Sequence, residues 1–160
     1  MATLPQLIEE DVQRLDDELR ELLQKSDGTT ALIIDKGGFL ITSQGDDRQF
    51  DLTTIAALAS GAYMANQTIA NLVHETNFNS VYQQGEKFSM FVMSIDDYCM
   101  LVVIFKATVS VGAVKYFAQP ACRHIAVQLQ IAHERDPGAG LDLSILNLAD
   151  ASEVFKRKSV

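Results

Sequence analysis

The chain has 160 residues, of which 48% are hydrophobic and 21% charged, a composition typical of one globular domain. Its 13 basic and 21 acidic residues give a formal net charge of −8 at pH 7, which argues against nucleic acid as a partner because a phosphate backbone repels that charge. The longest apolar run, residues 98–105, is too short to cross a bilayer and predicts a buried strand without membrane insertion. The N-terminus is acidic where a secretory signal is basic, so we expect a cytoplasmic protein.

The first predicted elements are an acidic helix and a β-hairpin. Apolar residues recur with a helical period at Leu4, Ile8, Val12, Leu15, Leu19 and Leu22. The turn formers Asp27 and Gly28 end this helix. Residues 31–34 and 39–42 are rich in β-formers and flank the turn residues 35–38, which predicts two antiparallel strands.

A long helix, three strands and a final helix follow. The long helix, residues 52–75, begins after Asp51, a good N-cap residue, and contains no proline. Strands are predicted at residues 78–83, 87–95 and 98–106. The helical period returns over residues 111–134, where we expect Pro120 to kink or restart the helix.

This order of elements predicts an α/β sandwich of the α+β class, with a five-stranded antiparallel sheet and helices on both faces. The largely polar strand 78–83 suits an edge of the sheet, and the apolar strand 98–106 suits its centre. We expect one domain over residues 1–136, followed by a linker and a partly helical tail over residues 137–160.

Residues with the spacing of an active site or a cofactor site are not found in the sequence. Gly37 and Gly38 lie between two strands, whereas a phosphate-binding loop opens a helix. The histidines lack the spacing of metal ligands and are His74, His124 and His133. Cys99 and Cys122 lie among apolar neighbours, as buried thiols do. We therefore expect no enzyme activity, no cofactor and no metal, and we assign the function to a surface.

The helix predicted at residues 52–75 is more apolar than a helix needs to be to cover one sheet. One stripe is sufficient for that purpose and consists of Ile55, Leu58, Ala62, Ala65, Ile69 and Leu72. The other sides still carry Ala56, Ala57, Ala59, Gly61, Tyr63 and Met64. Either a second layer of this chain or a partner covers the surplus. We favour a partner, because only a short tail is left to form a second layer.

Four segments, taken in order, carry a family resemblance: LIIDKGGFLITSQG, DLTTIAALASGAYMANQTIANLV, FNSVYQQGEKFSMFVMSIDDYCMLVVIF and VGAVKYFAQPACRHIAVQL. Over residues 5–134 the chain resembles the Roadblock family of the dynein-light-chain and longin-like group, and within it the bacterial MglB type. The resemblance implies a homodimer in which two sheets join across an edge strand and two small-residue helices lie side by side. It also implies regulation of a small Ras-like GTPase that docks on the helix pair, without an inserted arginine.

The resemblance assigns residues to the contact with the GTPase and to the contact between the two protomers. The GTPase-docking residues would be Ala57, Gly61, Met64 and Ala65 of the helix at residues 52–75. The dimer interface would consist of Ala56, Ser60 and Tyr63 of the same helix with Phe78, Ser80, Val81 and Tyr82 at the edge strand 78–83. The alternative function is a Roadblock scaffold or adaptor that has no effect on GTP turnover.

The tail combines an apolar stripe with a basic tip. The stripe consists of Leu141, Ile145, Leu148 and Phe155, and the tip is Lys156, Arg157 and Lys158. A segment of this length is too short to be a stable helix alone and needs a surface to order it. Two interpretations stay open: the tail folds back on its own dimer, or it reaches the GTPase and its basic tip contacts an acidic patch there.

Overall fold

The elements of the structure follow the predicted order. The structure is a computed structural model and describes residues 4–135, so the predicted tail lies outside the described residues. The elements are α1 (Glu9–Ser26), β1 (Thr30–Asp35), β2 (Leu40–Gly45), α2 (Leu52–Leu72), β3 (Ser80–Gln83), β4 (Phe88–Ser94), β5 (Cys99–Lys106) and α3 (Val111–Glu134). Within the described part of the chain, none of the helices is long and apolar enough to cross a membrane.

The strands form one five-stranded antiparallel sheet in the order β2-β1-β5-β4-β3. The central strand β5 is buried along its length except at Lys106, and it pairs with β1 on one side and β4 on the other. The short strand β3 lies at one edge and β2 at the other. The predicted fold class is therefore confirmed, including the apolar central strand and the polar edge strand.

Each face of the sheet has its own apolar core. On one face, Leu101, Val103 and Phe105 of β5 pack with α1 and α3. On the opposite face, the alternate residues Met100, Val102 and Ile104 pack against α2. This arrangement follows from the period of a strand, since successive side chains point to opposite faces. Two helices cover the first face and one helix covers the second.

The last helix does not restart at Pro120. Of the two predicted outcomes, a kink or a restart, the second is wrong, because α3 runs as one helix from Val111 to Glu134 with Pro120 inside it. A proline removes the hydrogen bond to the carbonyl four residues earlier, which here belongs to Tyr116. The Tyr116 side chain is largely exposed, so Tyr116 lies on the water-facing side of α3, where a free carbonyl can be hydrated.

A buried ion pair joins the start of α1 to the end of α3. The carboxylate of Asp11 is fully buried and accepts hydrogen bonds from Ile8 N, from Gln128 Nε2 and from both terminal nitrogens of Arg135 at 2.7 and 2.8 Å. The same carboxylate caps α1, which explains why the helix begins at Glu9 and not at Leu4. The hydrogen bonds from Arg135 lower the pKa of Asp11 to about 2.

We expect Arg135→Ala to lower the free energy of unfolding at pH 7 by about 1–3 kcal/mol, because it leaves a buried carboxylate with fewer donors. The folded-state pKa of Asp11 lies below its ordinary value of 3.8, so the pair stabilises the fold above about pH 4. Its contribution is lost as the pH falls towards 2. We therefore expect urea unfolding, measured at several pH values from 7 to 3, to show a difference in free energy of unfolding between Arg135→Ala and the wild type that becomes smaller as the pH falls.

The matched control for this prediction is Arg14→Ala. Arg14 pairs with Glu10 at 3.2 Å, and both side chains are mostly exposed. An exposed pair of this kind contributes less than about 1 kcal/mol, so the control should unfold almost as the wild type does. Equal stability of the two variants at pH 7 would contradict a structural role for the Asp11–Arg135 pair.

Candidate interaction surface on helix α2

Helix α2 turns a different side to the sheet from the one that the sequence predicted. The side chains buried against the sheet belong to Leu52, Ala56, Ala59, Ser60, Tyr63 and Ala70. The stripe expected to cover the sheet was wrong: Leu58 is 68% exposed, Ile69 48% and Leu72 75%. The reason is steric, because alanines and a serine let the helix lie closer to the sheet than leucines and isoleucines would.

Contacts with the β1–β2 hairpin fix this orientation of α2. Ser60 Oγ donates a hydrogen bond of 2.6 Å to the carbonyl of Lys36, and Lys36 Nζ lies 5.7 Å from the centre of the Tyr63 ring. Gly38 has φ +96°, and a Cβ there would lie 3.2 Å from the Cα of Ala57. The hairpin turn therefore needs a glycine where it meets α2.

The ends of α2 are also set locally. The side chain of Asp51 accepts hydrogen bonds from the backbone nitrogen and the hydroxyl of Thr54, as predicted for an N-cap residue. The helix ends at Leu72, three residues before the predicted end at residue 75, and His74 takes a positive φ of 65°. The left-handed residue turns the chain towards β3.

The side of α2 that points away from the sheet is uncharged and mostly apolar, with the exposed Thr54 and Thr68 as its polar residues. We call it the outer face and define its apolar part as Leu58, Gly61, Ala65, Ile69 and Leu72, all of which are exposed. No residue of α2 carries a charge. A Cβ built on Gly61 meets nothing within 4 Å, so none of the described residues requires a glycine there. An exposed apolar face of this kind is typical of a protein contact surface.

The structure exposes all the residues predicted to contact a GTPase. Gly61 and Ala65 lie on the outer face. Ala57 and Met64 lie on the flank next to the β1–β2 hairpin, since they are two turns apart and Ala57 touches Gly38. Phe39, at the tip of the same hairpin, is 74% exposed and was missed by the sequence analysis. The sequence indicated this exposure, because Phe39 is an aromatic residue directly after the Gly37-Gly38 turn.

The residues predicted for a dimer interface divide into two groups. Ala56, Ser60 and Tyr63 are buried against the chain's own sheet and leave little surface for a second protomer, while their assignment to a dimer interface stays a prediction. The second group stays at the edge of the sheet: Phe78, Ser80 and Val81 are half-buried and Tyr82 is exposed.

A shallow groove lies between α2 and the edge strand β3. Its lining includes Ala62 and Asn66 of α2, Val81 of β3 and Met90 of β4. Within the described residues β3 pairs only with β4, so the outer edge of β3 has free backbone groups. The flank of α2, the groove and the strand edge together form one continuous surface.

The described residues contain no cluster of histidine, cysteine and acidic side chains that could hold a metal ion. Both cysteines are buried, and burial raises the pKa of Cys99 and of Cys122 to about 12. A thiol with that pKa is protonated at neutral pH and is a poor nucleophile.

Comparison with known proteins agrees with these features. The sequence model of the family described as Roadblock/LC7 domain matches residues 15–105, more than half of the chain. Among curated proteins, none is similar enough in sequence to count as a match.

Solved structures with the same fold include several MglB proteins. An MglB with a tetrameric arrangement is 26% identical, has a TM-score of 0.77, and the match covers 82% of this chain and 99% of that chain. The gliding protein MglB of Thermus thermophilus is 26% identical with a TM-score of 0.75, over 81% of this chain and 98% of that chain. Myxococcus xanthus MglB is 26% identical with a TM-score of 0.69, over 72% of this chain and 94% of that chain. The chain belongs to the Roadblock/LC7 family.

Proposed function

We propose that this protein is a homodimer that regulates a small Ras-like GTPase, and that the GTPase docks on the outer faces of two paired α2 helices. The observation that carries the proposal is the outer face itself, an exposed apolar surface on a helix without any charge. The similarity to MglB structures supports the choice of partner. The protein would not hydrolyse GTP itself but would act on the nucleotide cycle of the GTPase.

Gly61 supports a contact with a partner's backbone. A glycine in a helix interior costs about 1 kcal/mol relative to alanine. Nothing among the described residues lies close enough to Gly61 to exclude a methyl group. We infer that the space above Gly61 serves close approach by a partner, as small residues do at helix contacts.

The width of the sheet supports a dimer. Five strands spaced about 4.8 Å apart make a sheet of about 20 Å, while one helix covers about 10 Å. Helix α2 therefore leaves the β3–β4 half of its face open, where Phe88, Met90 and Ile104 line an open groove. We infer that the α2 helix of a second protomer lies beside the first, and that the two β3 edges pair.

We expect Ala62→Arg to convert the dimer to a monomer, because a charge on the β3 side of α2 would be buried in the interface. The matched control is Asn71→Arg, which adds the same charge on the opposite flank of α2 and should leave the dimer intact. Sedimentation at micromolar concentration measures both. An interface of about 1,600 Å² or more in total is expected for a stable dimer, so a monomeric wild type would contradict this part of the proposal.

We expect Gly61→Ala to weaken GTPase binding while the fold gains up to about 1 kcal/mol, because the methyl group fills only the space meant for the partner. Gly61→Arg should abolish docking. Gly112→Ala, in the first turn of α3, is the matched control, since its methyl group meets only Ser110 Oγ at 3.4 Å. Binding is measured with a purified small Ras-like GTPase. If Gly61→Ala binds the GTPase as tightly as the wild type does, the result contradicts the proposed docking site.

We expect Arg48→Ala to retain most of the stimulation of GTP hydrolysis or exchange. The α2 helix has no arginine, and Arg14, Arg20 and Arg135 pair with carboxylates on the α1 and α3 side of the sheet. The exposed Arg48 lies in the loop before α2 and is, among the arginines of residues 4–135, the one nearest to α2 in the sequence. An inserted arginine typically contributes about 10³-fold or more, so a comparable loss with binding retained would overturn the expectation.

The same turnover assay separates the regulator from the scaffold. A regulator changes the rate of hydrolysis or of nucleotide exchange at saturating dimer. Binding of the GTPase with both rates unchanged would leave the alternative function, a Roadblock scaffold or adaptor. The predicted contact of Lys156, Arg157 and Lys158 with the GTPase lies outside the described residues and stays a prediction.

A further inference from the structure

A second candidate surface, with two exposed apolar residues among polar ones, lies on the other side of the sheet from α2. It is a groove between α1 and α3 with a volume of about 320 Å³, lined by Arg14, Asp17, Glu18, His124, Val127, Gln128 and Ile131. Val127 is 60% exposed and Ile131 46%. A second hollow continues it along the same helices past Phe117 and Pro120, and both hollows share Glu18 and His124.

The apolar side chains of the groove form a strip along α3. The helical period places Phe117, Pro120, Val127 and Ile131 on one side of α3, next to α1. The exposed His124 lies on the same side and interrupts the apolar strip between Pro120 and Val127. From Phe117 to Ile131 the strip is about 21 Å long at 1.5 Å per residue. Within the described residues, no element covers this strip.

We propose that the chain's own C-terminal segment, residues 141–158, occupies this groove. The apolar stripe from Leu141 to Phe155 would be about 21 Å long as a helix, which equals the length of the strip. Arg135, held by Asp11, directs the chain out of α3 one turn beyond Ile131. The connecting residues 136–140 contain one proline and two glycines, which permit a reversal of direction.

Charge supports the direction of this occupant through its tip alone, because residues 141–158 carry three acidic and three basic residues and are neutral as a whole. A segment that reverses after α3 runs antiparallel to it, so its basic tip, residues 156–158, reaches the Phe117 end of the groove. There Glu18 and Glu21 of α1 line the hollow together with Lys25 and His124, with which they pair. Helix α1 carries more acidic than basic residues along its length, which favours a basic tip beside it. The proposal is independent of the proposed function, since it concerns the opposite face of the sheet.

Hydrogen exchange of the full-length protein, followed by mass spectrometry, tests the proposal. We expect amides of residues 141–155 to exchange about tenfold or more slowly than in an unstructured peptide. The double variant Val127→Arg, Ile131→Arg should remove this protection, because it places two charges under the apolar stripe. The double variant Gln119→Arg, Gln130→Arg adds the same charges on an exposed side of α3 away from α1 and should keep the protection.

Unprotected amides in the wild type would overturn the proposal. Protection that survives Val127→Arg, Ile131→Arg would overturn it as well, because the segment would then be bound elsewhere. A smaller sedimenting mass of that variant, with exchange in residues 141–155 unchanged, would show that a second copy of the protein and not the segment covers the groove.

A cysteine pair tests the direction of the segment. When the apolar stripe of residues 141–155 is aligned antiparallel to the strip of residues 117–131 on α3, with Leu141 opposite Ile131, Ile145 lies opposite Val127. Val127→Cys, Ile145→Cys should form an intramolecular disulfide at least about tenfold faster than Val127→Cys, Leu146→Cys, since Leu146 lies off the stripe. The native thiols of Cys99 and Cys122 are buried and do not compete. Equal rates for the two pairs would overturn the antiparallel arrangement.

Discussion

The central strand β5 sets the architecture, because it is apolar on both faces and both faces must be removed from water. Residues that point one way, such as Phe105, require α1 and α3, and residues that point the other way, such as Met100, require α2. Burial of a large apolar side chain stabilises a fold by about 1.5–3 kcal/mol, so neither layer can be lost without unfolding the strand. The helices are therefore held on opposite sides of the sheet.

The two faces are covered unequally, and the functional surface follows from that inequality. Two helices, tied together by the Asp11–Arg135 pair, cover one face, whereas α2 alone is narrower than the other. The face with one helix keeps an open groove beside β3 and an apolar outer surface on α2. In the proposed dimer, a second protomer would supply the missing half of the layer.

Charge is divided between the same two sides. Helix α1 is strongly acidic, and its carboxylates lie on the face away from α2. Helix α2 has no charge at all. The acidic α1 side repels an acidic partner and the uncharged α2 side does not. The charge distribution therefore directs such a partner towards α2. We expect the affinity of a partner for α2 to depend little on salt concentration, because a helix without charges forms no ion pair that salt could screen.

Much of the fold could be predicted from the sequence because its signals are local. The helical period of α1 correctly identified Leu15, Leu19 and Leu22 as buried residues, and the Gly37-Gly38 turn correctly located the hairpin. The polarity of strand β3 and the apolarity of β5 predicted an edge and a centre, as the sheet order confirms. The same local signals gave α2 its N-cap at Asp51.

The orientation of α2 was decided by the tertiary structure. Both sides of this helix are apolar, so the period of its sequence fits either side against the sheet. Contacts with residues distant in the sequence chose between them: Ser60 bonds to the carbonyl of Lys36, and Ala57 accepts the close approach of Gly38. The sequence alone determined that α2 has more apolar surface than one sheet can bury. Which residues remain exposed depended on the shape of the hairpin and sheet against which the helix packs, because small side chains fit there and large ones do not.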